Sequence, residues 1–261
     1  MITLLATSSI FNSAQQKISR AKQHAVEFNS MEQDYLKNEC SGVMTEVDAA
    51  SGDRIVKVRF FKTVPLEIAS VVSDVANNLR DSLDHMGYAV AQAAKKGSQP
   101  KQAGFPFAGS AEQLENSIKR RSKDIPDDIL NLFRGLKPHK GGDEQLYALN
   151  TIANADKHQM LQPMAIASGQ VNMGFGRIRG GALGIGGFTW DPVRNEIIVS
   201  RCSKDTIVDD SSIGLQLYLC FDETTLEAGD AVGRILDVLA YKVENILGSV
   251  EVESKRIGLI T

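Results

Sequence analysis

One stretch constrains the fold more than any other part of this chain. Ile68, Val72, Val75, Leu79, Leu83, Met86 and Val90 recur every three or four residues. At about 100° per residue they lie within roughly 60° of one another, with the polar residues opposite. The spacing predicts one amphipathic helix over 65–96, opened by Pro65 and Glu67 and stopped at Gly97. No Lys and no Glu occurs between Glu67 and Lys95, although exposed helix faces normally fill with those two residues. The polar side carries Asp74, Asn77, Asn78, Arg80, Asp81, Asp84, His85 and Tyr88 instead. These short or directional groups predict a polar face covered by protein or by a ligand.

The remaining pattern reads as α+β. Ile18, Ala21, Ala25 and Phe28 predict a helix from about Phe11 to Lys37. Alternation of Val56, Val58 and Phe60 with Lys57 and Arg59 predicts a β-hairpin over 43–62, turning at Ala50-Ser51-Gly52-Asp53. Ser110 to Gln113 has the capping-box pattern, and a short helix follows from Pro126 to about Leu136. A further helix is predicted over 143–161. Alternating apolar residues, glycines and the single Trp190 predict an antiparallel β region over 162–222. A second capping box, Thr224 to Glu227, opens a helix over 225–248 that is expected to end at Gly248. We therefore expect a single α+β domain over 1–261. Residues 1–161 would be mainly helical, 162–222 β, and 223–250 a last helix.

The chain has 261 residues, 43% hydrophobic and 23% charged, with a net charge of −3. That balance supplies no global attraction to nucleic acid or anionic membranes, so any such binding needs a local patch. No apolar run approaches the roughly 18–20 residues of a membrane span, and no membrane partner is expected. Met1 to Thr7 lacks the basic start and the longer apolar core of a signal peptide. Cys40, Cys202 and Cys220 are odd in number and widely spaced, which predicts free thiols in a cytoplasmic protein. The glycines from Gly174 to Gly187 miss the GxGxxG spacing, and P-loop spacing is absent, so no nucleotide cofactor is expected.

A second polar segment, Leu149 to His158, complements the first. Asn150, Asn154 and His158 are four apart and form one helical stripe, while Asp156 projects to the apolar side. A carboxylate there needs a partner. Arg80 is the natural candidate, because its guanidinium takes a carboxylate as a bidentate fork. Asp156 would then either cross-link neighbouring helices or serve chemistry. His24 and His139 sit in ordinary surroundings and receive no role.

Two resemblances attach to these segments. Arg80-Asp81-Ser82-Leu83-Asp84-His85 resembles the signature of the HEPN superfamily of helical ribonucleases, an Arg with a His four to six residues later. Residues 65–161 resemble a poorly characterised bacterial family with a helix like Asn78 to His85, a Phe-Pro loop like Phe105-Pro106, and a helix end like Asn154 to His158. The second resemblance implies no established activity. The HEPN resemblance implies metal-independent RNA cleavage through attack by the ribose 2′-hydroxyl. His85 would be general acid or base, Arg80 would stabilise phosphoryl charge, and Asp81 would orient one of them. Asn77, Asp84, Tyr88, Asn150, Asn154, Asp156 and His158 would form the supporting network.

On one straight helix, residues five apart are about 140° and 7.5 Å removed. Convergence of Arg80 and His85 on one phosphate would therefore need the helix to begin or distort near Arg80, or two protomers to share a site. HEPN proteins are known for the second arrangement, so the resemblance implies a homodimer. Lys119, Arg120, Arg121 and Lys123, with Arg134, Lys137 and Lys140 nearby, form the densest basic region and the expected RNA-contacting patch.

Two alternatives stand beside the ribonuclease. Asp84, His85, Asp156 and His158 are ligand types for a metal-dependent hydrolase, although adjacent Asp84 and His85 point about 100° apart. A metal is therefore not assigned, and no cofactor is expected. The other alternative is a non-catalytic helical scaffold or binding protein, in which a buried Asn/Asp/Arg/His network specifies packing.

Overall fold

The computed structural model describes residues 9–37, 41–62, 64–95, 99–154, 165–179, 183–191, 193–205, 207–221 and 231–261. Among them the chain forms six α-helices and six strands, all strand pairs antiparallel, in an α+β fold. It divides into two compact units. One combines 1–28, 70–160 and 234–261; the other combines 29–69 and 161–233. No helix among the described residues is long and apolar enough to cross a membrane.

The helical unit is organised by α2 (Leu66–Ala94). All seven residues of its predicted stripe are buried, each contributing roughly 1.5–3 kcal/mol before the entropy of ordering. Helix α1 (Asn12–Lys37) buries Ile18, Ala21, Ala25 and Phe28, as its spacing predicts. Helices α3 (Ala111–Arg121), α4 (Asp127–Leu136) and α5 (Glu144–Asn154) are short and follow one another closely. Asp143 opens α5 by accepting the Leu146 N–H at 3.0 Å, and its other oxygen takes Lys242 of α6 (Val232–Arg256). The end of the helix predicted over 143–161, with Asp156 and His158, lies outside the described residues, as do Gly97 and Thr224 to Glu227.

Two expected caps differ. Ser110 is the N-cap of α3, but its hydroxyl donates to Glu112 at 2.6 Å and makes no cap bond to the backbone. Its carbonyl instead accepts the Gln113 N–H at 3.2 Å. Helix α6 does not stop at Gly248 but runs on to Arg256, because Val250 continues the buried stripe of Val243, Ile246 and Leu247. Its end is at Gly258, with φ of 70°. There Gly258 N–H donates to Lys255 O at 3.0 Å and Leu259 N–H to Ser254 O at 2.9 Å. Those paired bonds form the Schellman arrangement that glycine permits.

In the second unit, β1 (Ser41–Val47) and β2 (Arg54–Phe60) form the predicted hairpin. Asp48 ties the turn together by accepting the Ala50 and Ser51 N–H groups, and Gly52 takes a φ of 77°. The hairpin is not a separate ribbon. Strand β2 also pairs with β5 (Glu196–Cys202), and β5 pairs with β4 (Leu183–Asp191), giving the order β1-β2-β5-β4. Strands β3 (Ala165–Arg179) and β6 (Ile207–Cys220) form a second, two-stranded sheet. Lys57 and Glu196, only 5% and 3% exposed, form an ion pair at 2.8 Å on the larger sheet. Glu46 and Arg59 complete that cluster.

Candidate functional site

Three contacts fasten α2 to α1 with descending against ascending numbers, the signature of antiparallel helices. Ser13 Oγ lies 2.7 Å from His85 Nδ1, Ser82 Oγ donates to Ala14 O at 2.9 Å, and Lys17 pairs with Asp81 at 2.7 Å. Asp81 and His85 are four apart and so face the same neighbour. Asp81 therefore holds Lys17, and among the described residues no hydrogen bond or ion pair joins it to Arg80 or His85.

Arg80 looks elsewhere. Its guanidinium donates to Asn154 Oδ1 of α5 and lies 5.9 Å from the centroid of the Phe107 ring. Asn154 in turn donates to Asn150 Oδ1 at 2.9 Å and to Asn150 O at 2.8 Å, joining the two stripe residues. Asp84, one turn along α2 from Arg80, accepts the Phe105 N–H at 2.7 Å and faces Arg121 at 3.4 Å. Partial burial lowers the Arg80 pKa, and the like charge of Arg121 adds to that; Asp84 and Asp81 oppose it. Tyr88 donates to Gln99, and Asn77 is half-buried on the same helix.

Helix α2 begins at Leu66 and runs through Arg80 to Ala94, so no helix start brings Arg80 and His85 together. Each is held by a different neighbour within one chain. Asp156, the expected partner of Arg80, and His158 lie outside the described residues; the described partner is Asn154. Among the described residues no group of three or more His, Cys, Asp or Glu is placed to hold a metal. Asp84 and His85 have separate partners, as their 100° offset requires.

The basic region also divides. Arg121 turns inward to Asp84, whereas Lys119, Arg120 and Lys123 are exposed. Only Arg120 of this group lines a cleft of about 300 Å³ between α3 and the Phe107–Gly109 loop.

Sequence reasoning missed Ser13, Lys17 and Phe107, because the register of α1 on α2 and the path of the 104–109 loop leave no local signal. Gly87 and Gly104 did carry one. A Cβ at Gly104 would meet Asp84 Oδ1 at 3.1 Å and Arg121 Nη2 at 3.3 Å, and one at Gly87 would meet the Ala103 carbonyl oxygen at 2.3 Å. A glycine inside a helical pattern, as Gly87 is, marks such a close approach, and Gly104 allows one from the loop.

Neither family models, nor curated proteins, nor solved structures give a significant match to this chain. The two resemblances drawn from its sequence thus rest on their own segments, and the residue geometry carries the functional argument.

Proposed function

We propose that this chain is a non-catalytic helical binding protein, whose Asn/Asp/Arg/His network specifies how its helices pack. One observation carries this reading. Arg80 and His85 are turned to different partners, Asn154 with Phe107 for one and Ser13 for the other. A general base and a charge-stabilising arginine must reach one phosphoryl group together, and these two are spent on separate packing contacts. The network is partly exposed and not buried as expected, with Asn154 exposed, yet its paired groups still favour one arrangement of the helices. Cys202 and Cys220 as buried thiols accord with a reducing cytoplasm.

A double-mutant cycle on unfolding free energy tests the network. Arg80→Ala and Asn154→Ala should couple by about 1 kcal/mol. Arg80→Ala and His85→Ala should add within about 0.5 kcal/mol. Strong coupling between Arg80 and His85 would overturn the separation on which the reading stands.

The ribonuclease is the second reading, favoured by the partial exposure of both Arg80 and His85. In it the 2′-hydroxyl of RNA attacks phosphorus, leaving a cyclic phosphate and expelling the 5′-oxygen, with no metal. Because one chain turns the two residues apart, this reading requires Arg80 of one protomer to meet His85 of its partner across a two-fold axis. A monomeric mass in solution at micromolar concentration removes it.

A further inference from the structure

We infer that the cleft between α3 and the Phe107–Gly109 loop is a binding site for a small organic acid, a carboxylate whose body carries hydroxyl, keto or amide groups. The inference rests on the binding-protein reading and names its ligand. Gln113, Asn116 and Arg120 line the cleft and fall three and four residues apart, on one face of α3. Ser117 on that face fixes the opposite wall by donating to Phe107 O at 2.7 Å. Gly109 leaves the space that the Gln113 amide occupies, since a Cβ there would lie 2.8 Å from Gln113 Oε1.

The lining has no acid and one cation in contact. Lys119 shares the field of Glu115, and Arg121 is turned to Asp84, so neither adds a second cation to the cleft. Arg80, beside the same Phe107 ring, adds only a field of the same sign. The charge count selects the anion. A phosphate monoester carries about −1.5 to −2 at neutral pH and would be left half neutralised by one guanidinium. A carboxylate carries one charge and matches the guanidinium fork with two parallel hydrogen bonds.

The amides of Gln113 and Asn116 each offer a donor and an acceptor. Among the described residues both are without hydrogen-bond partners and Arg120 is without an ion pair. They suit neutral groups such as hydroxyls, ketones and amides on the body of the acid. The Phe107 ring and Ala108 supply the apolar wall. A cleft of about 300 Å³ stands at the small end of ligand sites.

The test is calorimetric titration of the full chain with gluconate, pyruvate and N-acetylglycine, beside acetate, sorbitol and inorganic phosphate. At least one of the first three should bind several-fold more tightly than acetate and sorbitol, which each carry half of the recognised chemistry. Arg120→Gln should weaken that binding about ten-fold or more. Lys123→Gln removes an exposed charge outside the cleft and should change it less than three-fold. Both side chains are exposed, so loss of folding does not confuse the comparison. Absence of binding by all three acids, tighter binding of phosphate, or equal effects of the two variants would overturn the assignment. Cleavage of RNA by the same preparation would overturn the binding-protein reading instead, so the two failures are separable.

Discussion

Ser13 and His85 meet 2.7 Å apart across the α1–α2 seam, and one turn away on each helix Lys17 meets Asp81 at the same distance. Between these contacts Ser82 is buried and bonded to Ala14 O. The seam thus has a dry bond in its middle and wetter ones on either side. Ser82→Ala should cost about 1 kcal/mol whatever the salt. Asp81→Ala and Lys17→Ala should each cost less than about 1 kcal/mol, because both partners are a third or more exposed, and less again in about 1 M salt. Urea unfolding of the three variants at two salt concentrations gives the comparison. A salt-independent Asp81 effect larger than that of Ser82 would show that the seam is held by its ion pair.

Two helical glycines should respond in opposite directions to alanine. In a helix interior alanine is favoured over glycine by about 1 kcal/mol. At Gly248 a Cβ meets nothing within 4 Å, so Gly248→Ala should raise stability by about 0.5–1 kcal/mol. At Gly87 it would sit 2.3 Å from the Ala103 carbonyl oxygen, which belongs to backbone and yields little. Gly87→Ala should therefore destabilise by about 1–3 kcal/mol despite its better propensity. Thermal unfolding reads both signs, and a stabilising Gly87→Ala would refute the close approach of the 103 loop to α2.

The Lys57–Glu196 pair makes stability depend on pH. Burial pushes the Glu196 carboxyl up, but hydrogen bonds from Lys57 and Arg59 more than reverse this and leave it below the ordinary carboxylate range. A depressed carboxyl contributes stability above its unfolded pKa of about 4.3 and loses it as pH falls through the lower folded value. Glu196→Gln should cost about 2 kcal/mol at pH 7, with the gap to wild type closing as the pH drops below about 4. Hydrogen bonds to Glu196 and Glu46 raise the Lys57 pKa, so its share is present below about pH 10 and is lost as pH rises through the folded value. A pH-independent gap for Glu196→Gln would mean that packing, and not charge, is what the variant removes.

Much of the fold was legible because apolar period is a local property. The stripes of α1 and α2 and the alternation of β2 put boundaries within a few residues of those observed. Chain ends and caps were harder. Gly248 looked like a stop, yet burial of Val250 carries α6 onward, and Gly258 ends it. The polar residues from Asp74 to Tyr88 were read as a face covered by protein or by a ligand; Asn154, Lys17, Arg121 and Ser13 meet Arg80, Asp81, Asp84 and His85, whereas Asp74 and Tyr88 are exposed. Which partner each would take was not legible. That depends on helix register and on a loop brought close by Gly87 and Gly104, and neither has a periodic signature.

RNA cleavage by purified protein in EDTA, beside His85→Ala and Arg80→Ala preparations of equal purity and fold, is the most direct test of the non-catalytic reading. Intact RNA is expected in all three reactions, with both variants less stable than wild type. Cleavage by wild type alone, leaving cyclic phosphate ends, would contradict it and place Arg80 and His85 in a shared active site.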